Sequence, residues 1–298
     1  MQAYRLAAYT MKIKQRIEAG EFICAPGTQD MVSALIAKDL GFDAVYASGY
    51  WMVASALGLP DAGIATYTQM LDRISTLAKT VGDSAAIIAD ADTGYGGLLN
   101  VRETIRGYEA AGVQVIQIED QQFPKKCGHT PNKKVVTTEE MVTKIKVAKE
   151  ACSSPDTLIS ARTDVYQSQG YDGALERVKA FADAGADIVF PEGLTSKQEM
   201  RDLCAAVDKP VMINMADGTD TPIMSATELQ EIGFSIAIFP GTSTLAATSA
   251  MYKALSHLKQ HGTSQSEEVE LYDFQKFCRL IGFEDIWEFD RRWADEES

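Results

Sequence analysis

The chain has 298 residues, 46% of them hydrophobic, and a formal charge of −14. That is enough for one large α/β domain or two average ones, and the acidic balance argues against nucleic acid or an anionic membrane as a partner. It leaves room for an anionic substrate in a locally basic pocket, and no apolar run approaches the roughly 18 residues of a membrane span.

Residues 1–17 carry Arg5, Lys12, Lys14 and Arg16 and no acid. They read as a surface helix leading into the domain, in preference to an organelle targeting segment. From there one pattern recurs. A helix-like segment ends near a glycine, and a short apolar run follows with polar residues at its end. It occurs at Gly41 with 44–49, Gly112 with 113–120, Gly185 with 188–193 and Gly233 with 236–241. Glycine suits a helix C-terminus, and the run after it reads as a buried strand. Further strands fit at 22–26, 85–92, 158–164 and 211–216, with amphipathic segments of helix length between them. Eight strand–helix units predict a (β/α)8 barrel over residues 1–262. A doubly wound open sheet is the alternative, but no glycine-rich dinucleotide turn follows the first strand.

In a barrel of this kind, strand C-termini face the active site. Those positions hold Ser48-Gly49-Tyr50, Asp90-Ala91-Asp92, Glu119, Arg162, Glu192, Asn214 and Pro240-Gly241. Asp90 and Asp92 point to the same face of their strand, and converging carboxylates repel unless a proton or cation lies between them. Mg2+ fits such an oxygen pair, with Mn2+ as a substitute. The plainer reading is a solvated loop, since Gly94, Gly96 and Gly97 follow at once. Arg162 is placed to grip a carboxylate in a two-pronged contact, or to pair with Asp164 or Glu192 at the barrel mouth.

Lys125-Lys126-Cys127-Gly128-His129 puts a thiol, an imidazole and two ammonium groups within five residues. Nearby cations favour thiolate, so Cys127 is a candidate proton donor or acceptor. The competing reading is an exposed basic loop with an incidental cysteine. The five cysteines are widely spaced without a CxxC pair, which suits a reducing, cytoplasmic setting better than a disulfide framework. After Leu255 the composition changes. Residues 262–268 read as a linker, and 269–293 carry Tyr272, Phe274, Phe277, Phe283, Trp287, Phe289 and Trp293. This extension, 263–298, is too apolar for a free tail and should pack on the barrel or on a neighbouring subunit. Residues 295–298 should be mobile.

These motifs together resemble the isocitrate lyase/phosphoenolpyruvate mutase superfamily along nearly the whole chain. The resemblance is carried by Ser48-Gly49, Leu57-Gly58-Leu59-Pro60-Asp61, Asp90-Ala91-Asp92-Thr93-Gly94-Tyr95-Gly96, Ile118-Glu119-Asp120, the Lys125–His129 loop, Ala161-Arg162-Thr163-Asp164 and Pro191-Glu192-Gly193. The Cys-Gly-His loop is similar to the branch that breaks carbon–carbon bonds; phosphorus–carbon mutases usually carry an asparagine-containing loop there. The resemblance implies a (β/α)8 barrel, Mg2+, and a homotetramer of helix-swapped dimers. It implies that Asp90 and Asp92 hold the metal, with Asp61 and Glu119 in the outer shell. It also implies that Ser48, Gly49, Tyr50, Gly128 and Asn214 bind substrate and that Arg162 and Glu192 position it. Cys127 would be the acid, tuned by His129 and Lys125.

The reaction so implied is a retro-aldol (Claisen-type) cleavage of a 2-hydroxy dicarboxylate. Methylisocitrate lyases of the same family typically carry an arginine shortly after the last barrel strand, where this chain has Leu245. No Lys or Arg occurs from Asn214 to Tyr252. That favours a smaller dicarboxylate, an alkylmalate of the 2,3-dimethylmalate type, over a tricarboxylate. The other readings are methylisocitrate lyase, hydrolysis of oxaloacetate to oxalate and acetate, a phosphonate mutase or hydrolase, and a non-catalytic metabolite-binding barrel.

Overall fold

The computed structural model describes residues 12–128, 130 and 132–294. The expectations for residues 1–11, His129 and 295–298 lie outside the described residues. Eight strands, β1 (Ile23–Thr28), β2 (Ala44–Ala47), β3 (Ala86–Asp90), β4 (Val115–Glu119), β5 (Leu158–Thr163), β6 (Ile188–Pro191), β7 (Met212–Asn214) and β8 (Ile236–Phe239), all pair in parallel. Their order is β6-β5-β4-β3-β2-β1-β8-β7. A parallel bridge between Val189 and Val211 joins the two ends. The sequential order and the meeting ends make this a (β/α)8 barrel and exclude the doubly wound sheet, in which the strand order reverses.

Helices α2 (Met31–Asp39), α3 (Gly49–Leu57), α4 (Tyr67–Val81), α5 (Leu98–Ala110), α6 (Thr138–Ala151), α7 (Tyr166–Asp183), α8 (Lys197–Ala205), α9 (Ala226–Ile232) and α10 (Thr242–His261) follow the strands and ring the barrel. Several start where the sequence offers a cap. Thr66, Thr137 and Ser225 accept from the backbone N–H three residues on, and each such cap stabilises its helix by about 1 kcal/mol. The recurrent glycines Gly41, Gly112, Gly185 and Gly233 all have positive φ, between 79° and 116°. They turn the chain from helix back to strand, a conformation side chains with a Cβ resist.

Both faces of the strands are covered, so they read as continuous apolar runs; their period of two still sorts the side chains. One set, including Ile23, Tyr46, Ile88, Val115, Leu158, Ile188, Phe190, Met212 and Ile236, fills the barrel interior. The alternate set, including Val45, Ile87, Ile116, Ile159 and Val189, packs outward on Ile74, Ile105, Ile145, Val178 and Phe181 of the helices. Each fully buried side chain of this size contributes roughly 1.5–3 kcal/mol.

Helix α1 (Ile13–Glu18) precedes β1. It is less superficial than its charge suggests, because Ile13 joins the interior cluster at the N-terminal end of the barrel. Arg16 is buried there and pairs with Glu21 at 2.7 Å and Asp43 at 2.8 Å. At the other end of the chain, α10 continues past Leu255 to His261 before the polar stretch begins. Two further helices, α11 (Phe274–Leu280) and α12 (Phe283–Trp293), follow. Helix α11 touches α2 and buries Cys278. Tyr272, Phe274, Phe283, Trp287, Phe289 and Trp293 are exposed in the single chain.

Candidate active site

The strand period that fills the barrel also aims its functional side chains. Two residues beyond an interior position comes another interior position. Tyr46 leads to Ser48, Ile88 to Asp90, Val115 to Gln117 and Glu119, Leu158 to Ser160 and Arg162, Phe190 to Glu192, and Met212 to Asn214, while Asp92 lies past the end of β3, where the chain turns with φ 48°. The upper layers of the interior are polar for this reason, and every side chain just named beyond the apolar layers is buried.

They surround a cavity of about 230 Å3 at the C-terminal mouth. Ser48, Tyr50, Asp61, Asp90, Glu119, Lys125, Cys127, Gly128, Arg162 and Asn214 all line it, so most of the residues expected at the site do share one space. Gly49 sits against it, where an added Cβ would lie 2.8 Å from Asp90 Oδ2. Asp92 and Glu192 stand behind, reached through Lys125 and Arg162.

Lys125 is the cation at the centre of the carboxylates. Its ammonium pairs with Asp61 and lies 2.7 Å from Asp92 Oδ1. Burial would depress its pKa, but Asp92, Glu119, Asp61 and Asp90 outweigh burial and hold it well above the usual lysine value. The carboxylates are pushed the other way. Burial, with Asp90 and Asp61 adding to it against the pull of Lys125, raises Asp92 to about 7. Burial, then Asp164, raises Glu119 well above its usual range, and burial also raises Asp61. The ammonium of Lys125, a residue expected to tune Cys127, is directed into this cluster.

Arg162 forms the second centre. Its guanidinium makes a two-pronged contact with Asp164, 3.0 Å from each oxygen. It also lies 3.2 Å from Glu192 Oε2 and 3.6 Å from Glu119 Oε2, with its carbon 5.2 Å from the Phe190 ring centroid. Burial alone would raise the Asp164 pKa, but Arg162 and then Lys133 hold it well below the usual carboxylate range. Asn214 Nδ2 donates to Glu192 Oε2 at 3.0 Å.

The loop carrying Cys127 is seated on this centre. A Cβ at Gly128 would fall 2.0 Å from Arg162 Nη2 and 3.0 Å from Asp164 Oδ1, so only glycine fits that close approach. Gln121 secures the stem by accepting from Lys126 N at 3.0 Å and donating to Lys126 O at 2.8 Å.

Tyr46, Gln117 and Asp120 support the site without having been expected there as site residues. Tyr46 OH donates to Gln117 Oε1 at 3.3 Å, and Gln117 Nε2 donates to Asp90 Oδ1 at 3.4 Å, fixing one metal-candidate carboxylate from below. Asp120 takes hydrogen bonds from Thr163 Oγ1, Asp164 N and Arg177 Nη1, at 2.6, 3.0 and 2.9 Å, and so ties β4 to β5 and α7. The interior period could have flagged Tyr46 and Gln117; the Asp120 network joins residues too far apart in the chain for any spacing rule.

Among the described residues no group of three or more His, Cys, Asp or Glu stands in a metal-holding arrangement. The donor chemistry nonetheless fits a hard divalent cation. Asp90, Asp92, Asp61 and Glu119 offer only oxygen, three of them are forced up by burial and mutual repulsion, and Glu119 Oε1 is buried with no hydrogen bond.

Fold and site together define a (β/α)8 barrel with a buried carboxylate–lysine–arginine centre under a cysteine-bearing loop. The family model described as phosphoenolpyruvate phosphomutase matches residues 13–259. The chain belongs to this family, the PEP mutase/isocitrate lyase superfamily. It is 41% identical to the 2,3-dimethylmalate lyase of Eubacterium barkeri, over 95% of this chain and 97% of that one. It is 38% identical to a 2-methylisocitrate lyase of Halalkalibacterium halodurans, over 95% and 93% of the two chains. The structure of oxaloacetate acetylhydrolase in complex with the inhibitor 3,3-difluorooxalacetate superposes with a TM-score of 0.90 at 32% identity, covering 98% of this chain and 99% of that one.

Proposed function

We propose that the protein is a Mg2+-dependent carbon–carbon lyase that cleaves a small 2-hydroxy dicarboxylate of the alkylmalate type into a 2-oxo acid and a carboxylic acid. The observation that carries this reading is the seating of Gly128 on Arg162, which brings the Cys127 loop and the carboxylate cluster to one cavity.

Asp90 and Asp92 would hold the metal, with Asp61 and Glu119 behind them. When bound, the cation would polarise the 2-hydroxy carboxylate and offset the negative charge that develops as the bond breaks. Backbone at Ser48, Gly49 and Tyr50, with the Asn214 amide, receives substrate carboxylate oxygens. Arg162, pre-aligned by Asp164 and Glu192, supplies the fixed positive charge opposite the forming enediolate. A base takes the C2 hydroxyl proton, the C2–C3 electron pair passes to C3 and its carboxylate, and the Cys127 thiol returns a proton to C3. His129 is assigned beside Cys127 as its tuning group. Gly128 over Arg162 screens the carbanion from water.

Substrate size follows from the cavity wall. Trp51, Pro240, Ala216 and Leu245 line one side of it, and Gly241 leaves room where an added Cβ would meet Trp51 and Leu245 at 3.2 and 3.3 Å. An alkyl group suits that wall, whose side chains offer a third carboxylate no cation. The 2,3-dimethylmalate lyase relative supports the same choice.

The deciding experiment offers purified protein with Mg2+ four acids: 2,3-dimethylmalate, methylisocitrate, isocitrate and oxaloacetate. Products are followed by mass spectrometry. A 2-oxo acid from the malate alone supports the reading; efficient methylisocitrate cleavage overturns the substrate class. Oxalate from oxaloacetate would move the assignment to the hydrolase, the second reading, which the likeness to the acetylhydrolase structure favours.

The assembly we propose is a homotetramer of helix-swapped dimers, in which the 263–298 extension leaves its own barrel to cover a partner's. The support is the exposed aromatic face of α11 and α12, together with exposed Met251, Tyr252 and Leu255 on α10. A cytoplasmic setting suits five widely spaced cysteines without a CxxC pair. Among the described residues, no helix is long and apolar enough to cross a membrane.

A further inference from the structure

Lys133 is buried at the site's edge, yet it does not line the reaction cavity. It lines an outer cavity of about 410 Å3 on the far side of Gly128, together with Glu192 and Thr219. Its ammonium donates to the Gly128 carbonyl and lies 3.2 Å from Asp164 Oδ1. Asp164 is the same carboxylate that grips Arg162 on two oxygens. One fully buried anion therefore receives both the cation that touches the loop backbone and the cation that faces the substrate. Burying an ammonium is costly unless it is paired and hydrogen-bonded, and Lys133 meets that cost with two partners, Asp164 and the Gly128 carbonyl. The stems of the loop are fixed independently: Gln122 N donates to Lys134 O and Val136 N to Asp120 O, each at 2.8 Å. What Lys133 adds is the tip.

We infer that Lys133 is a positioning residue, a clasp that ties the Gly128 carbonyl to Asp164 and so couples seating of the Cys127 loop to alignment of Arg162. The kinetic part of this inference rests on the lyase reading; the structural part does not. Lys133 does not itself line the reaction cavity, so losing it misplaces Cys127 and Gly128 without removing a side chain from that cavity's wall.

The test uses full-length protein with Mg2+, comparing Lys133→Met and Lys133→Arg with the parent. Iodoacetamide labelling is read at each cysteine by peptide mass, and kcat and KM are measured on 2,3-dimethylmalate. Cys152 and Cys204, whose thiols burial pushes up to about 11 and about 12, serve as reporters of the intact barrel. Lys133→Met should label Cys127 about five-fold faster, with Cys152 and Cys204 unchanged, because only the loop is released. Its kcat should fall about 30-fold while KM stays within about three-fold, the signature of lost orientation rather than lost binding. Lys133→Arg keeps a charged donor and should restore most of both. Cys127 labelling and kcat within about two-fold of the parent in Lys133→Met would overturn the clasp. So would faster labelling of all three cysteines without rescue by arginine, which marks a merely structural lysine. A parent protein that cleaves none of the four acids would defeat the lyase reading instead, and the labelling result alone would then decide the clasp.

Discussion

Cys127 lines one cavity with Arg162, Asp61, Asp90 and Glu119, which suits the proton-donor role proposed for it. Cys127→Ser should lower kcat by about 100-fold or more, as expected for loss of a positioned acid, and calorimetry should find Mg2+ affinity unchanged. Full activity in that variant would remove the cysteine from the mechanism. Leu245 offers a complementary test of specificity. Placing a guanidinium on that wall, Leu245→Arg, should raise kcat/KM for methylisocitrate relative to 2,3-dimethylmalate by about ten-fold, because a third carboxylate then has a partner. An unchanged ratio measured on the two acids in competition would show that the wall does not read the substrate.

Asp164 links chemistry to stability. It stays ionised in the folded protein to lower pH than in the unfolded chain, because Arg162 and Lys133 outweigh its burial. The stability it contributes is therefore present above its unfolded value, about pH 4, and is lost as pH falls through its depressed folded value. Asp164→Asn should cost about 3 kcal/mol at pH 7, since it leaves two buried cations short of a partner. The gap between the two proteins in urea unfolding should narrow below about pH 4. A constant gap would mean that Asp164 is not the group that titrates there.

At the scale of elements, strand period and helix caps explain why the barrel forms, and the terminal helices explain why it should not remain alone. Helix α12 places Phe283, Trp287, Phe289 and Trp293 in solvent in the single chain, each at least 40% exposed. Single exposed apolar residues are ordinary, but a contiguous aromatic face marks a contact surface. Trp287→Asp together with Phe283→Asp should shift the particle mass in light scattering to dimer or monomer while far-ultraviolet dichroism keeps its helix and strand signal. A mass that stays at one chain in the parent protein, at micromolar concentration, would refute the swapped assembly.

At the scale of the molecule, much of this was written locally. The eight strands sit near their expected places because each is a short apolar run, four of them following the helix-ending glycines Gly41, Gly112, Gly185 and Gly233, and such runs, too short to be helices, are stable only as covered strands. Position at strand C-termini placed Asp90, Glu119, Arg162, Glu192 and Asn214 toward the barrel mouth before any packing was known, whereas Asp92, read as sharing the Asp90 face, lies beyond the end of β3 with φ 48°. The parallel, closed order then followed from eight alternating units. The seventh strand came out shorter than its apolar run, Met212–Asn214 within 211–216, because it sits at the seam where pairing with β6 is reduced to one bridge.

The partners inside the site were decided only by the tertiary structure. Lys125 stands two residues from Cys127 in the chain, yet its ammonium goes to Asp61, 64 positions away. Lys133, outside every motif read in the sequence, places its ammonium between the Gly128 carbonyl and Asp164. Gln117 holds Asp90 and is itself held by Tyr46, though neither residue stood out in the sequence. Sequence spacing determines which face a side chain takes, because strand and helix geometry are local. Which charge answers which carboxylate depends on desolvation and on distances across the closed barrel, and those exist only once the chain has brought β2, β3, β4 and β5 side by side.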